Sequence, residues 1–290
     1  MEFKITNIKK HHKDKIHKLI EEINLEDKLS YSITDEWLDY VIENTWEGIF
    51  LGFHGEELVG LGTCMINPVY SDQGALNVVV SSGCRRKGLG SILYDKIHGF
   101  AKERDVKIVE AYVKERLVHG VRFAHKKGFN TTMYSWEMEL NLVDVDFSFE
   151  ELAGLNFRKA VKEDGLSYKK IIHDAFGDEV EENTLIQGLK DPSIIIYILE
   201  KDNKAIGSAT VQLKKELSLA YIYDIAILKE YRGQGLGSYL LQSCIKGLKE
   251  KNIDIASLSV TGDNERALEL YKKIGFKEVD IDLIMAKRVE

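Results

Sequence analysis

In the second half of the chain the apolar residues change period in a fixed order. Residues 193–199, Ser-Ile-Ile-Ile-Tyr-Ile-Leu, are β-branched and apolar and read as a strand. Lys201-Asp202-Asn203-Lys204 is a turn, and residues 205–212 return as the hairpin partner. Residues 221–227 form another strand. Leu236, Leu240, Leu241, Cys244, Ile245 and Leu248 then recur at helical spacing. Residues 255–260 make a further strand, and Ala267, Leu268, Tyr271 and Ile274 mark a second helix. Strands and helices in mixed order predict an α+β domain on a mixed, mostly antiparallel sheet flanked by helices.

The first half follows the same order. Shifted by 147 positions, Val59-Gly60 falls on Ile206-Gly207 and Arg85-Arg86-Lys87-Gly88-Leu89-Gly90-Ser91 on residues 232–238, while Gly128-Phe129 falls on Gly275-Phe276. A repeat of that length is the size of a domain and too long for a solenoid unit. The expected domains are therefore residues 1–143 and 157–290. The seam falls where Asp and Glu interrupt the apolar pattern, within residues 144–155.

Composition narrows the function. Of 290 residues 44% are hydrophobic and 30% charged, with a net charge of −7 and a pI near 5.7. So acidic a chain lacks the basic field that nucleic-acid binding needs, and suits a neutral or cationic small molecule better. Three scattered cysteines give neither a disulfide framework nor a zinc motif, and the eight histidines show no ligand spacing, so no metal is expected. His11, His12 and His17 fall in a Lys-rich first helix expected to be solvated. The N-terminus turns polar at once, and eighteen apolar residues never run together. A cytoplasmic protein without a membrane helix is expected.

The candidate chemistry starts at Arg232-Gly233-Gln234-Gly235-Leu236-Gly237-Ser238, between a strand and a helix N-terminus. Glycines let backbone amides converge on one anion, the helix end adds free donors, and Arg232 can add a charge. The spacing is neither that of a Walker loop nor that of a dinucleotide fingerprint. One strand earlier, Asp224 sits in Tyr-Ile-Tyr-Asp-Ile-Ala-Ile, where aspartate is disfavoured. Asn264 and Tyr271, seven apart, share one helix face.

The Arg-x-x-Gly-x-Gly pattern, in this order of elements and in both halves, resembles the GNAT superfamily of N-acetyltransferases. The resemblance implies that residues 232–238 hold the pyrophosphate of acetyl-coenzyme A and that the backbone of Ile225, Ala226 and Ile227 pairs with the pantetheine arm. The string Asn264-x-x-Ala267-x-x-x-Tyr271-x-x-x-Gly275-Phe276 is similar to the family's last coenzyme A motif. There Asn264 would bind the cofactor arm and Tyr271 would protonate the departing thiolate. The blander alternatives are a helix cap and a core aromatic. The run around Asp224 resembles a strand of the aminoglycoside 3-N-acetyltransferases whose acidic residue faces the acceptor amine. Asp224 is thus the expected base, or the group that fixes a cationic amine.

The first half lacks these companions. Asp224 corresponds to Asn77, Asn264 to Leu117 and Tyr271 to Ala124. The loop of Arg85, Arg86, Lys87, Gly88, Leu89, Gly90 and Ser91 remains as a second coenzyme A site or a scaffold. His125 lies one residue off the Tyr271 position and should point elsewhere. Cys84 precedes basic residues but reads as an ordinary loop residue. In tandem GNAT proteins the halves are likewise not equivalent. The expectation is a direct acetyl transfer in the second domain to a primary amine of a small acceptor, neutral or cationic, with a protein or peptide N-terminus as a further option. The rival is an inactive acyl-coenzyme A sensor. In the family the acceptor is chosen by the stretch corresponding to residues 168–190, which here holds Asp174, Asp178, Glu179, Glu181 and Glu182. A monomer with pseudo-dimeric halves and a homodimer both fit.

Overall fold

A computed structural model describes residues 2–29, 33–44, 46–67, 70–143, 152–177, 180 and 183–289. The first half runs β1 (Lys4–Asn7), α1 (Lys13–Asp27), α2 (Asp35–Glu43), β2 (Ile49–His54), β3 (Glu57–Ile66), β4 (Gln73–Val80), α3 (Leu89–Glu103), β5 (Ile108–Lys114), α4 (Val118–Lys126) and β6 (Asn130–Asn141). The second repeats it with β7 (Leu155–Lys159), α5 (Gly165–Phe176), α6 (Asn183–Lys190), β8 (Ile194–Lys201), β9 (Lys204–Lys214), β10 (Leu219–Ile227), α7 (Leu236–Lys249), β11 (Ile255–Thr261), α8 (Glu265–Ile274) and β12 (Lys277–Arg288).

Two compact units result, and they are not the two repeats. One is Met1–Tyr134 with Asp282–Glu290, the other Ser135–Ile281. The expected division at residues 143 and 157 follows the repeat, whereas packing exchanges the last strand of each half. Residues 282–288 of β12 pair antiparallel with β5, and residues 135–141 of β6 pair antiparallel with β11. Which sheet edge each strand joins is decided by pairing, and pairing is not local.

In each unit the sheet is antiparallel except for one parallel pair, β4 with β5 or β10 with β11. Alternation along the strands sends apolar residues to both faces. In the second unit Ala209, Val211, Ala220, Ile222, Leu258 and Met138 pack on one face with the buried stripe of α7. On the other face Tyr168 and Ile172 of α5 pack with Leu185 of α6 on Ile196 and Ile198. The hairpin turn expected at residues 201–204 forms with Asp202 and Asn203 at φ 51° and 60°. These are left-handed values that Asp and Asn tolerate best after glycine.

Candidate active site

The glycine loop leaves β10 at Ile227, makes one turn of 3-10 helix over Lys229–Tyr231 and enters α7 at Leu236. Gly233 and Gly235 both hold φ at +78°, and Gly235 caps α7 without any side chain. Among the described residues, the amides of Gly233, Gln234, Gly235, Leu236, Gly237 and Ser238 donate to no backbone carbonyl. A run of open donors at a helix N-terminus is an anion site. In the first repeat Gly88 holds φ at 93°, and Arg86 takes φ 61° at the position of Gly233.

Arg232 does something other than what its sequence position suggests. Its Nε donates to the Ile227 carbonyl at 2.7 Å, and its Nη2 reaches the backbone oxygen and a carboxylate oxygen of Asp174 at 3.2 Å each. Asp174 also accepts the Lys229 amide at 2.6 Å. The guanidinium thus ties the loop to the end of β10 and of α5, which shapes the amide array. Arg85 repeats this, donating to the Val80 carbonyl at 2.8 Å and to both carboxylate oxygens of Asp27 at 2.9 and 2.6 Å. Asp174 is accordingly not a group waiting for a cationic acceptor. The other acids of that stretch, Asp178, Glu179, Glu181 and Glu182, lie outside the described residues.

Beside the loop the sheet opens. β10 and β11 pair only through Leu219, Ala220 and Tyr221 with Ile255, Ala256 and Ser257, and no pairing follows. Ile225, Ala226 and Ile227 therefore offer backbone groups on that side, while Ala226 and Ile227 pair with β9 on the other. Between Tyr223 and Ala226 the β10–β9 register slips, and Asp224 takes φ 51°. This bulge explains an aspartate inside a strand: the residue leaves the pleat and is re-aimed. The β4 strand of the first repeat keeps register with β3 through Asn77 and has no bulge. The asymmetry read from the side chains is thus present in the backbone as well.

Asn264 caps α8, its side-chain oxygen accepting the Ala267 amide at 3.2 Å. The capping alternative is realised, and its NH2 group remains for another partner. Tyr271 is buried against Phe276, with ring centroids 6.1 Å apart. Burial pushes its hydroxyl up to about 12, so it stays protonated. At the matching places the first unit has Leu117, which caps nothing by side chain, and buried Ala124. His125 is turned to the Phe129 carbonyl at 3.1 Å, away from the vacant Tyr271 position.

Tyr168 is the neighbour that the strand and loop motifs did not reveal. It is buried in the face of α5 that covers the bulge, and burial pushes its hydroxyl up to about 12. Thr210 acts in the opposite direction, and the nearby charge of Asp224 adds to the rise. Its meeting with Asp224 depends on how α5 crosses the sheet. Elsewhere, His12 corrects the picture of a solvated first helix: it is buried beside the Phe53 ring, with centroids 5.5 Å apart. Cys64, Cys84 and Cys244 are free and buried. A groove lined by Lys159, Asp191, Ile194, Lys215, Lys251 and Ile253 lies where β8 and β11 begin, at the other end from the loop.

An amide array at a helix N-terminus, a split parallel pair and a two-fold repeat of both are on view, and the acetyltransferase (GNAT) family matches residues 14–129 and 160–276. The chain belongs to the acetyltransferase (GNAT) family. It carries that α+β fold twice in tandem. A GCN5-related N-acetyltransferase structure from Sphaerobacter thermophilus superposes with a TM-score of 0.81 over 99% of this chain and 96% of its own, at 18% identity. A tandem GNAT protein of the clavulanic acid biosynthesis pathway gives 0.78 over 100% and 99%, at 13% identity. These two likenesses are of fold. In sequence, a mycothiol acetyltransferase of Kytococcus sedentarius is 23% identical over 246 residues, 79% of this chain and 78% of its own. An N-alpha-acetyltransferase of Sulfurisphaera tokodaii is 33% identical over 107 residues, which cover 33% of this chain and 64% of that relative's length. Among the described residues of this GNAT protein, no His, Cys, Asp and Glu cluster could hold a metal ion, and no helix is long and apolar enough to cross a membrane.

Proposed function

We propose that the second unit transfers an acetyl group from acetyl-coenzyme A directly to a primary amine of a small, cationic acceptor. The observation that carries this is the bulge at Asp224. It turns a carboxylate out of the sheet beside the split of β10 and β11, and its counterpart in the first repeat is regular strand.

The residues fit the co-substrate. The open amides of residues 233–238 suit its pyrophosphate, the free edge of Ile225, Ala226 and Ile227 suits an amide-bearing arm, and the Asn264 NH2 can join them. Arg232 contributes by holding the loop in shape. Bound acetyl-coenzyme A supplies an acyl carbon activated by its thioester. Asp224 accepts a proton from the acceptor nitrogen, directly or through a water, as the N–C bond forms. Tyr271, held protonated by burial, gives its hydroxyl proton to sulfur as the C–S bond breaks. The first unit keeps its loop as a second anion site or scaffold and has none of these proton carriers.

The test is thiol release from acetyl-coenzyme A across a panel of amines, with Tyr271→Phe and Asp224→Asn alongside. Amine-dependent release that falls in both variants supports the reading. Thermal stabilisation by acetyl-coenzyme A with no amine-dependent release supports a sensor instead. The same reading places the protein in the cytoplasm, in keeping with its three unpaired cysteines.

A further inference from the structure

β6, which the first half contributes to the second unit, presents two faces. Met138, Leu140 and Leu142 enter the core, so Glu137 and Glu139 lie on the opposite face. That face continues through the register. Glu139 pairs with Ser257 of β11, and Ser257 pairs with Tyr221 of β10, while Glu137 pairs with Ser259, whose hydroxyl hydrogen-bonds that of Tyr221. The bulge at Asp224 and the Tyr223 side chain lie further along β10.

Three features of this patch are unexplained by the fold. Glu139 is half-buried, and no described residue offers it a hydrogen bond or a cation. Burial, and then the neighbouring charge of Glu137, raises its carboxyl above the ordinary range. The Ser257 hydroxyl, on a residue 2% exposed, is also without a partner, at the register position between Glu139 and Tyr221. Finally, the matching strand positions of the other repeat carry no acids. The 147 shift carries Glu137 and Glu139 onto Ile284 and Ala286. The carboxylate pair therefore stands in the unit that also holds Asp224 and Tyr271.

We infer that Glu137 and Glu139, with Ser257, form a subsite for a second ammonium group of the acceptor, so that the substrate is a di- or polycationic amine. This rests on the acetyl-transfer reading above, since Asp224 is taken to face the nitrogen that is acetylated. β6 and β10 are two strand spacings apart, so the second cation sits about 10 Å or more from the first. An extended triamine such as spermidine has that reach, and a monoamine cannot engage both ends.

The experiment is calorimetric binding of spermidine and of butylamine to the full chain in the presence of coenzyme A, run beside thiol release with both amines. Wild type should bind spermidine at least about tenfold more tightly than butylamine, and Glu137→Gln/Glu139→Gln should remove most of that preference. Glu139→Gln alone and Ser257→Ala should each show part of the loss, which keeps the test open if the double variant folds poorly. Equal affinity of wild type for the two amines, or a preference untouched by the substitutions, overturns the subsite. If no amine releases thiol yet the spermidine preference and its loss are seen, the subsite stands and acetyl transfer falls.

Discussion

Asp27 holds Arg85 by both of its carboxylate oxygens, at 2.9 and 2.6 Å, and so pins a glycine loop to the end of a helix. Asp174 does the same for Arg232 with a single carboxylate oxygen at 3.2 Å. The bidentate pair is the more buried, with side-chain exposures of 23% and 12% against 44% and 32%. Asp27→Ala should therefore cost about 2 kcal/mol of stability and Asp174→Ala about 1 kcal/mol. Asp174→Ala should also weaken acetyl-coenzyme A binding by loosening the second loop. Denaturant melts and calorimetry check both, and equal costs with unchanged binding would remove the brace from the account.

Asp224 combines a left-handed backbone with the proposed proton acceptor, and substitutions can separate the two. Asn accepts that conformation nearly as well, so Asp224→Asn should keep its melting temperature while kcat drops about 10²-fold. Val does not, so Asp224→Val should lose about 1–2 kcal/mol of stability in addition. Thermal melts with thiol-release kinetics tell these apart. Full activity in Asp224→Asn at every pH would take Asp224 out of the mechanism.

Tyr271, pushed up to about 12 by burial, keeps its proton throughout the accessible range. The pH–rate profile should then show no alkaline fall below pH 10 that disappears in Tyr271→Phe. That variant should instead lower kcat about tenfold or more at all pH values. An alkaline limb present in wild type and lost in Tyr271→Phe would contradict the assigned burial.

His12 and His98 of the first unit both sit below the ordinary histidine value of 6.5, chiefly through burial, with nearby cations adding. Each binds a proton less readily folded than unfolded. Their contribution is complete above pH 6.5 and is lost as pH falls below it, until the folded value is passed. Among the described residues the His98 Nε2 has no partner, so a methionine can take its place without breaking a hydrogen bond there. Urea melts from pH 7.5 to 5 should show a shallower decline for His98→Met than for wild type. Parallel declines would mean that His98 does not titrate on unfolding.

Much of this was legible because the message is written twice. The strands at residues 194–201 and 255–261, the helix from Leu236 and the turn at Asp202 and Asn203 follow from period and local conformational preference. The oddity of Asp224 in a strand signalled the bulge without describing it. What escaped is tertiary. His12 stands among lysines, yet Phe53, far along the chain, buries it. The brace between Arg232 and Asp174, 58 positions apart, is not written in the loop motif. Glu137 and Glu139 belong to the first repeat, yet β6 places them beside β11 of the other unit. Acids of sequence-neutral appearance acquire meaning only from the strand beside them.

The exchange of β6 and β12 also bears on how such a chain can change over time. Once each copy of a duplicated gene closes its sheet with a strand encoded by the other, neither copy can be deleted without baring the survivor's edge to any stray strand. The copy proposed to lack the proton carriers is then retained for its architecture, free to drift in chemistry yet bound to stay. On the proposed subsite, it also shapes its sibling's choice of substrate through the few side chains that β6 carries across.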